Sequence, residues 1–188
     1  MLLDKDKSCL VVVDVQEKLT PKVIHAKSMV NRCEWLMRLA SELDVPVLVC
    51  EQYPKGLGYT IEPLRGLLPM HVVIEKQSFS AYRDPHFQQE WQNLHRKQVI
   101  LVGIETHVCI LQTALDLVDA GAKVFVVLDA ISARHLQDHH AALERMKQAG
   151  VTLITSEMIF YEWIKQAGSP VFKTLNQAFM KMEQEHGA

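Results

Sequence analysis

Cysteine is scarce in this chain, and none of it is paired in a recognisable motif. The four residues, Cys9, Cys33, Cys50 and Cys109, form no C-x-x-C pair and lie inside apolar segments rather than loops. That pattern argues against a disulfide framework or a zinc knuckle and for a reducing environment in which a free thiol stays a thiol. Charge of one sign is also missing: 20 Lys+Arg stand against 22 Asp+Glu, a formal charge of -2. No broad basic field is available to wrap nucleic acid or to hold an anionic membrane surface, so neither partner is expected. No apolar run approaches the roughly 20 residues a membrane-spanning helix needs. The start "MLLDKDKSCL" mixes acids among its lysines and runs straight into a strand-like segment, which reads as neither a secretory signal nor a transit peptide. The expected location is cytoplasmic. Glycine and proline, 8 and 7 residues, are too few for a fibrous or disordered chain.

What is present is an alternation. The 188 residues, 48% hydrophobic and 22% charged, suit a single domain spanning 1-188. "SCLVVVDV" (8 to 15) is β-branched and uninterrupted, as a strand buried on both faces of a parallel sheet should be. "NRCEWLMRLASEL" (31 to 43) places Trp35, Leu36, Leu39 and Leu43 on one helical stripe, and "VPVLVCE" (45 to 51) returns as a strand. Further strands are predicted over 70 to 76, 98 to 104, 122 to 130 and 151 to 156. Helices are predicted over 85 to 95, 107 to 121, 138 to 150, 156 to 168 and 169 to 186, with Ser156 and Ser169 as N-caps of the last two. This order implies βαβ crossovers and an α/β fold: three layers, a doubly wound, mostly parallel sheet of about six strands with helices on both faces. The segment "QYPKGLGYTIEPLRGLLP" (52 to 69) is longer than a typical connection and reads as a functional loop.

In such a sheet, ligands bind outside the carboxyl ends of the strands, so the residues just past each apolar run carry the information. Asp14 ends the first strand, Lys76 closes the third, and Cys109 follows the fourth at the start of its helix. Taken singly, each has a bland reading: a cap or ion-pair partner, a surface lysine, a small buried hydrophobe. Taken together they supply a base, an electrostatic stabiliser and a nucleophile at one sheet edge. Thr106 is the natural N-cap of the helix after the fourth strand, which puts Cys109 in the first turn, where free N–H groups and the helix dipole favour a thiolate. The same N–H groups suit an oxyanion.

"VVVDVQ", then "EKQSFSA", then "VGIETHVCI" resemble, in order and at similar spacing, the isochorismatase-like (cysteine hydrolase) superfamily, which includes nicotinamidases and N-carbamoylsarcosine amidases. The resemblance covers nearly the whole domain and implies an Asp-Lys-Cys triad at Asp14, Lys76 and Cys109. It further implies a thioester intermediate on Cys109 and a non-proline cis peptide between Ile104 and Glu105, which would aim the Glu105 N–H, with that of Cys109, at the oxyanion. Relatives are commonly homo-oligomers, and that state is expected here. Isochorismatases proper have no cysteine at this position, so Cys109 favours acyl chemistry over vinyl-ether cleavage. Nicotinamidases carry a metal site of Asp and His residues after the second strand, and "CEQYPKGLGYT" offers none; no metal and no cofactor is expected. The segments "EQYPKGLG", "KQSFSA" and "DAISARHLQDHHAALERMKQAGVTLITSE" look most like the isochorismatase domain-containing branch. The expected partner is a small-molecule substrate, an amide or related acyl compound.

Nine histidines remain to be weighed. His135 and His139 stand at i, i+4, a zinc-compatible spacing, but without the glutamate of H-E-x-x-H they, and His140, read as solvated or capping. His107 reads as a pocket or interface residue, and Tyr53, Phe79 and Tyr82 as pocket lining or packing. A signalling receiver would need a phosphorylatable Asp where this chain has Lys76, and is set aside. The alternative to a hydrolase is a catalytically idle scaffold that keeps the fold, with Phe160, Trp163, Phe172 and Phe179 serving assembly.

Overall fold

The computed structural model describes residues 1–181. Six strands, β1 (Ser8–Val13), β2 (Val47–Gln52), β3 (Val72–Lys76), β4 (Gln98–Ile104), β5 (Lys123–Ser132) and β6 (Thr152–Ile154), form one sheet in the order β3-β2-β1-β4-β5-β6. All five strand pairings are parallel. The chain therefore winds outward from β1 in both directions, and the switch point lies between β1 and β4.

The sheet's two faces follow from the pleat. Alternate residues of β1 point to opposite sides: Leu10 and Val12 join one apolar cluster, Cys9, Val11 and Val13 the other. The first cluster is covered by α1 (Ala26–Glu42), α6 (Ser156–Ile164) and α7 (Pro170–Leu175), through Leu36, Leu39, Phe160, Trp163 and Leu175. The second is covered by α3 (Pro85–Leu94), α4 (Leu111–Asp119) and α5 (Leu136–Gln148), through Phe87, Ala114, Leu117, Ala142 and Met146. Burial on both faces is why β1, β2 and β4 read as unbroken apolar runs rather than as alternating ones.

Boundaries shift where local chemistry overrides periodicity. β1 stops at Val13 because Asp14 turns into the left-handed region at φ 55. α1 begins five residues before the 31 to 43 stripe, at Ala26. The predicted loop over 52 to 69 holds a one-turn α2 (Pro54–Leu57) and the start of a 3-10 helix, Leu64–Met70. Ser169 caps α7 by accepting from the Phe172 N–H, as expected. Ser156 does not cap α6; Thr155 accepts from Met158 N–H, while Ser156 donates to and is held by Asp129. The helix expected over 169 to 186 is α7 followed by a π-helical segment, Asn176–Lys181, and residues 182 to 186 lie outside the described residues.

The aromatic residues offered for assembly are mostly spent inside the chain. Phe160, Trp163 and Phe179 are buried in the first cluster, Trp35 meets Phe179 edge-on at 5.3 Å, and Trp163 Nε1 donates to Ser8 Oγ at 3.2 Å. Among the described residues no helix is long and apolar enough to cross a membrane.

Candidate active site

Three strand ends build the site. Asp14 follows β1, and its backbone N–H is fixed by Cys50 O at 3.0 Å. Its positive φ swings the carboxyl group away from the strand direction and into the crevice. Gly103 sits beside it on β4, paired with Val13 at φ 108. A Cβ there would lie 2.1 Å from Val13 O, so only glycine allows β4 to pass this close to the start of the turn. The pairing of β4 with β5 shifts register between Leu101 and Gly103, which lets β4 end in a changed direction.

Lys76 starts from β3, two strands away, and its extended side chain crosses the end of β2 to reach Asp14. It is 1% exposed. Its Nζ donates to Asp14 Oδ2 at 2.8 Å, Gln52 Oε1 at 2.6 Å, Phe79 O at 3.2 Å and Ser78 O at 3.3 Å. Gln52, the last residue of β2, is locked in turn by Gln16: Gln16 Nε2 donates to Gln52 O at 3.0 Å, and Gln52 N–H donates to Gln16 Oε1 at 2.7 Å. Neither glutamine was singled out from the sequence, although Gln52 closes the second apolar run and satisfies the same strand-end rule that selected Asp14 and Lys76. A buried ammonium with this many acceptors is satisfied, which is the condition for keeping a charge in the interior.

Cys109 lies in a π-helical turn, Thr106–Ile110, which precedes α4. The Glu105 carbonyl accepts from Val108 N–H at 3.0 Å and from Ile110 N–H at 3.2 Å, the two N–H groups on either side of Cys109. The Ile104–Glu105 peptide is cis. Thr106 is not the N-cap; Glu105 holds that position without capping the helix through its side chain, and the Thr106 hydroxyl turns sideways to His139 Nδ1 at 3.0 Å. Cys109 feels the charge of both Asp14 and Lys76 and is nearly buried, 6% exposed as a residue. Asp14 Oδ1 is buried with no conventional hydrogen bond, leaving a lone pair on the carboxylate whose other oxygen holds Lys76.

The expectation of a depressed thiol pKa is corrected by this environment. Burial, then repulsion from Asp14, hold the Cys109 thiol above its ordinary range, and Lys76 offsets them only in part. A helix-terminus effect of about 0.3–1 kcal/mol, up to ~2 when partly buried, does not balance desolvation next to a carboxylate. Burial likewise raises Asp14 against the pull of Lys76. For Lys76, burial works against the charge, but the attraction of Asp14, reinforced by Cys109 and Cys50, outweighs it and holds the ammonium above its usual range. Cys109 is therefore held toward the thiol form and Lys76 toward the ammonium. Cys9, Cys33 and Cys50 are fully buried thiols whose pKa values burial pushes up, that of Cys9 to about 12.

Tyr53 and Phe79 touch Lys76 through their backbone, the Tyr53 N–H donating to Lys76 O and Phe79 O accepting from Lys76 Nζ, and both are exposed. Tyr82 instead packs edge-on against Trp91 at 5.8 Å. His107 is half-buried with Nε2 3.9 Å from Asp138; His139 is half-buried with Nδ1 against the Thr106 hydroxyl, while His135 and His140 are exposed, as expected. Among the described residues no group of three or more His, Cys, Asp or Glu is arranged to hold a metal ion.

Known proteins share this architecture. The chain is 41% identical over 185 residues to isochorismatase domain-containing protein 2 of Rattus norvegicus, covering 97% of this chain and 85% of that one. It superimposes on the MAR1 ribonuclease of Caenorhabditis elegans with a TM-score of 0.89 at 35% identity, covering 96% of this chain and 93% of the other. The YcaC gene product of Escherichia coli, described as an octameric hydrolase of unknown specificity, shares the fold with a TM-score of 0.87 at 24% identity, covering 99% and 96%. The isochorismatase domain model matches residues 8–158, a span that runs from β1 into α6 and takes in Asp14, Lys76 and Cys109. On that match, and on the likeness to the rat protein, the chain belongs to the isochorismatase domain family.

Proposed function

We propose that this protein is a cysteine-dependent hydrolase of small amides or related acyl compounds, working through a thioester on Cys109, with Asp14 and Lys76 completing the triad. The observation that carries the reading is the meeting of three strand-end groups, with the Lys76 Nζ 2.8 Å from Asp14 and Cys109 close enough to feel the charge of both.

The chemistry follows from a resting thiol. As the sulfur attacks the substrate carbonyl carbon, its proton passes to Asp14, so charge never accumulates on an unpaired thiolate. General-base help of this kind is worth about 10²–10⁴-fold. The raised pKa of Asp14 brings its basicity nearer the working pH, as proton transfer in both directions requires. The carbonyl oxygen becomes an oxyanion, which the N–H groups of Glu105 and Cys109 receive; one such donor is worth roughly 3–4 kcal/mol. Collapse of the adduct breaks the C–N bond, and the leaving amine takes the proton from Asp14. Water, losing a proton to the regenerated carboxylate, attacks the thioester; the acid departs and the sulfur recovers its proton. Lys76 keeps Asp14 ionised and fixed between these transfers.

The test is a panel of small primary and N-substituted amides, scored for ammonia or amine release by the wild type and by Cys109→Ala. Turnover lost in Cys109→Ala supports the reading; turnover that survives, or none with any acyl donor, overturns it. The nematode neighbour is named a ribonuclease. Labelled RNA therefore belongs in the same panel, and RNA cleavage independent of Cys109 would move the function away from acyl chemistry. We further propose a homo-oligomer, as the octameric E. coli neighbour suggests, to be read by sedimentation velocity.

A further inference from the structure

One short segment grips the nucleophile turn at three consecutive residues. Arg134 Nε donates to Glu105 Oε2 at 2.7 Å, His139 Nδ1 lies 3.0 Å from Thr106 Oγ1, and Asp138 Oδ2 lies 3.9 Å from His107 Nε2. The three contacts differ in weight. Arg134 is 50% exposed and Asp138 47% exposed at the side chain, so water screens both contacts. Thr106, by contrast, is 0% exposed, and its hydroxyl has His139 as its side-chain partner.

Thr106 stands between the two residues whose N–H groups the proposed reaction uses, Glu105 and Cys109. The backbone there is held by a wide i→i+5 bond, from Ile110 N–H to Glu105 O at 3.2 Å, an uncommon arrangement found mostly as single turns at functional sites. A lateral bond to a side chain of α5 supplies what the backbone pattern alone does not: a fixed rotation of the turn about its axis. The ring is suited to this. Burial, with His140 and His107 close by, holds His139 below its ordinary range, so at neutral pH the imidazole is uncharged and its Nδ1 meets the hydroxyl as donor or acceptor according to the tautomer.

The geometry points to His139 as a positioning residue that acts through Thr106 Oγ1, setting the direction of the Glu105 and Cys109 N–H groups toward the oxyanion. This inference rests on the acyl-transfer reading for its kinetic consequence, but not for its structural one.

The experiment compares the wild type with His139→Ala and His139→Asn, since an asparagine amide sits near the place of Nδ1 and can bond the hydroxyl. Leaving one buried hydroxyl unpaired is expected to cost about tenfold in kcat, with KM within about twofold because the loss falls on the transition state. Asparagine should restore kcat to within about threefold of wild type, whereas a ring needed only for packing would be lost equally in both variants. Amide hydrogen exchange across residues 104 to 111 is measured in parallel: about fivefold faster exchange in His139→Ala, reversed in His139→Asn, is expected if the bond holds the turn. Unchanged kcat in His139→Ala, equal losses in both variants, or unchanged exchange would each overturn the inference. If the wild type hydrolyses no acyl donor, the proposed reaction has failed, and the exchange comparison still decides whether His139 holds the turn.

Discussion

Replacing Asp14 by Asn separates the roles assigned to that carboxylate, because three observables move in different directions. The substitution keeps size and one acceptor oxygen but removes the charge 2.8 Å from Lys76 Nζ. At that distance the Coulomb attraction is about 6 kcal/mol for an effective dielectric constant near 20, offset in the native protein by the cost of burying both groups. Breaking a buried pair by removing one partner typically costs about 3–5 kcal/mol. Here Lys76 keeps Gln52 Oε1, Ser78 O and Phe79 O as acceptors, which places the expectation near the lower end, about 3 kcal/mol. For a chain of this size that is a fall in Tm of roughly 6–12 °C. Acyl turnover should fall by about 10²–10⁴-fold with the base gone. The thiol should move the other way. Repulsion from Asp14 raises the Cys109 pKa, and removing it lowers that pKa while Lys76 stays in place. Each unit of lowering multiplies the thiolate fraction about tenfold but reduces its nucleophilicity roughly threefold, a net gain of about three- to fourfold in iodoacetamide alkylation at neutral pH. The assays are thermal denaturation, amide turnover and alkylation read by peptide mass. Alkylation slowed in step with turnover would refute the reasoning, since Asp14 would then sustain a pre-formed thiolate rather than accept its proton during attack.

Four further outcomes follow. In the wild type, the rate of Cys109 alkylation should climb between about pH 6 and about pH 9 without a plateau, because the thiol titrates above its ordinary range; a plateau near neutrality would contradict the resting thiol. Gly103→Ala places a Cβ 2.1 Å from Val13 O at φ 108, and denaturant unfolding should show a loss of about 2–4 kcal/mol from strain and overpacking together. Asp84→Ala removes the cap that accepts from His86 and Phe87 N–H at the start of α3 and should cost about 1 kcal/mol. Arg83→Ala breaks a solvent-screened pair with Asp116 and should leave the unfolding midpoint in the same titration essentially unchanged.

Much of the sheet was readable because burial on both faces writes itself as unbroken apolar runs, and β1, β2 and β4 are of that kind. Asp14, Lys76 and Cys109 were legible from their place just past such runs. Gln52 obeys the same rule but ends its run as a neutral side chain next to the charged Glu51, and its value appears only once Lys76 is seen to pass over it. His139 left no usable signal: its partner Thr106 lies 33 residues away, and the two meet only because α5 packs on the nucleophile turn. The thiol's protonation state was misjudged for a related reason. Sequence places Cys109 near helix N–H groups, but the desolvation and the neighbouring carboxylate that outweigh them are products of the tertiary structure.

In the proposed reaction the Cys109 sulfur, and not one of the three other cysteines, carries the acyl group. Intact and peptide mass spectrometry after rapid acid quench of the protein with an activated acyl donor tests it most directly. One acyl mass per chain is expected, mapped to Cys109, absent in Cys109→Ala, and accumulating more slowly in Asp14→Asn. An unmodified Cys109 while substrate is being consumed, or an adduct on Cys9, Cys33 or Cys50 instead, would contradict it.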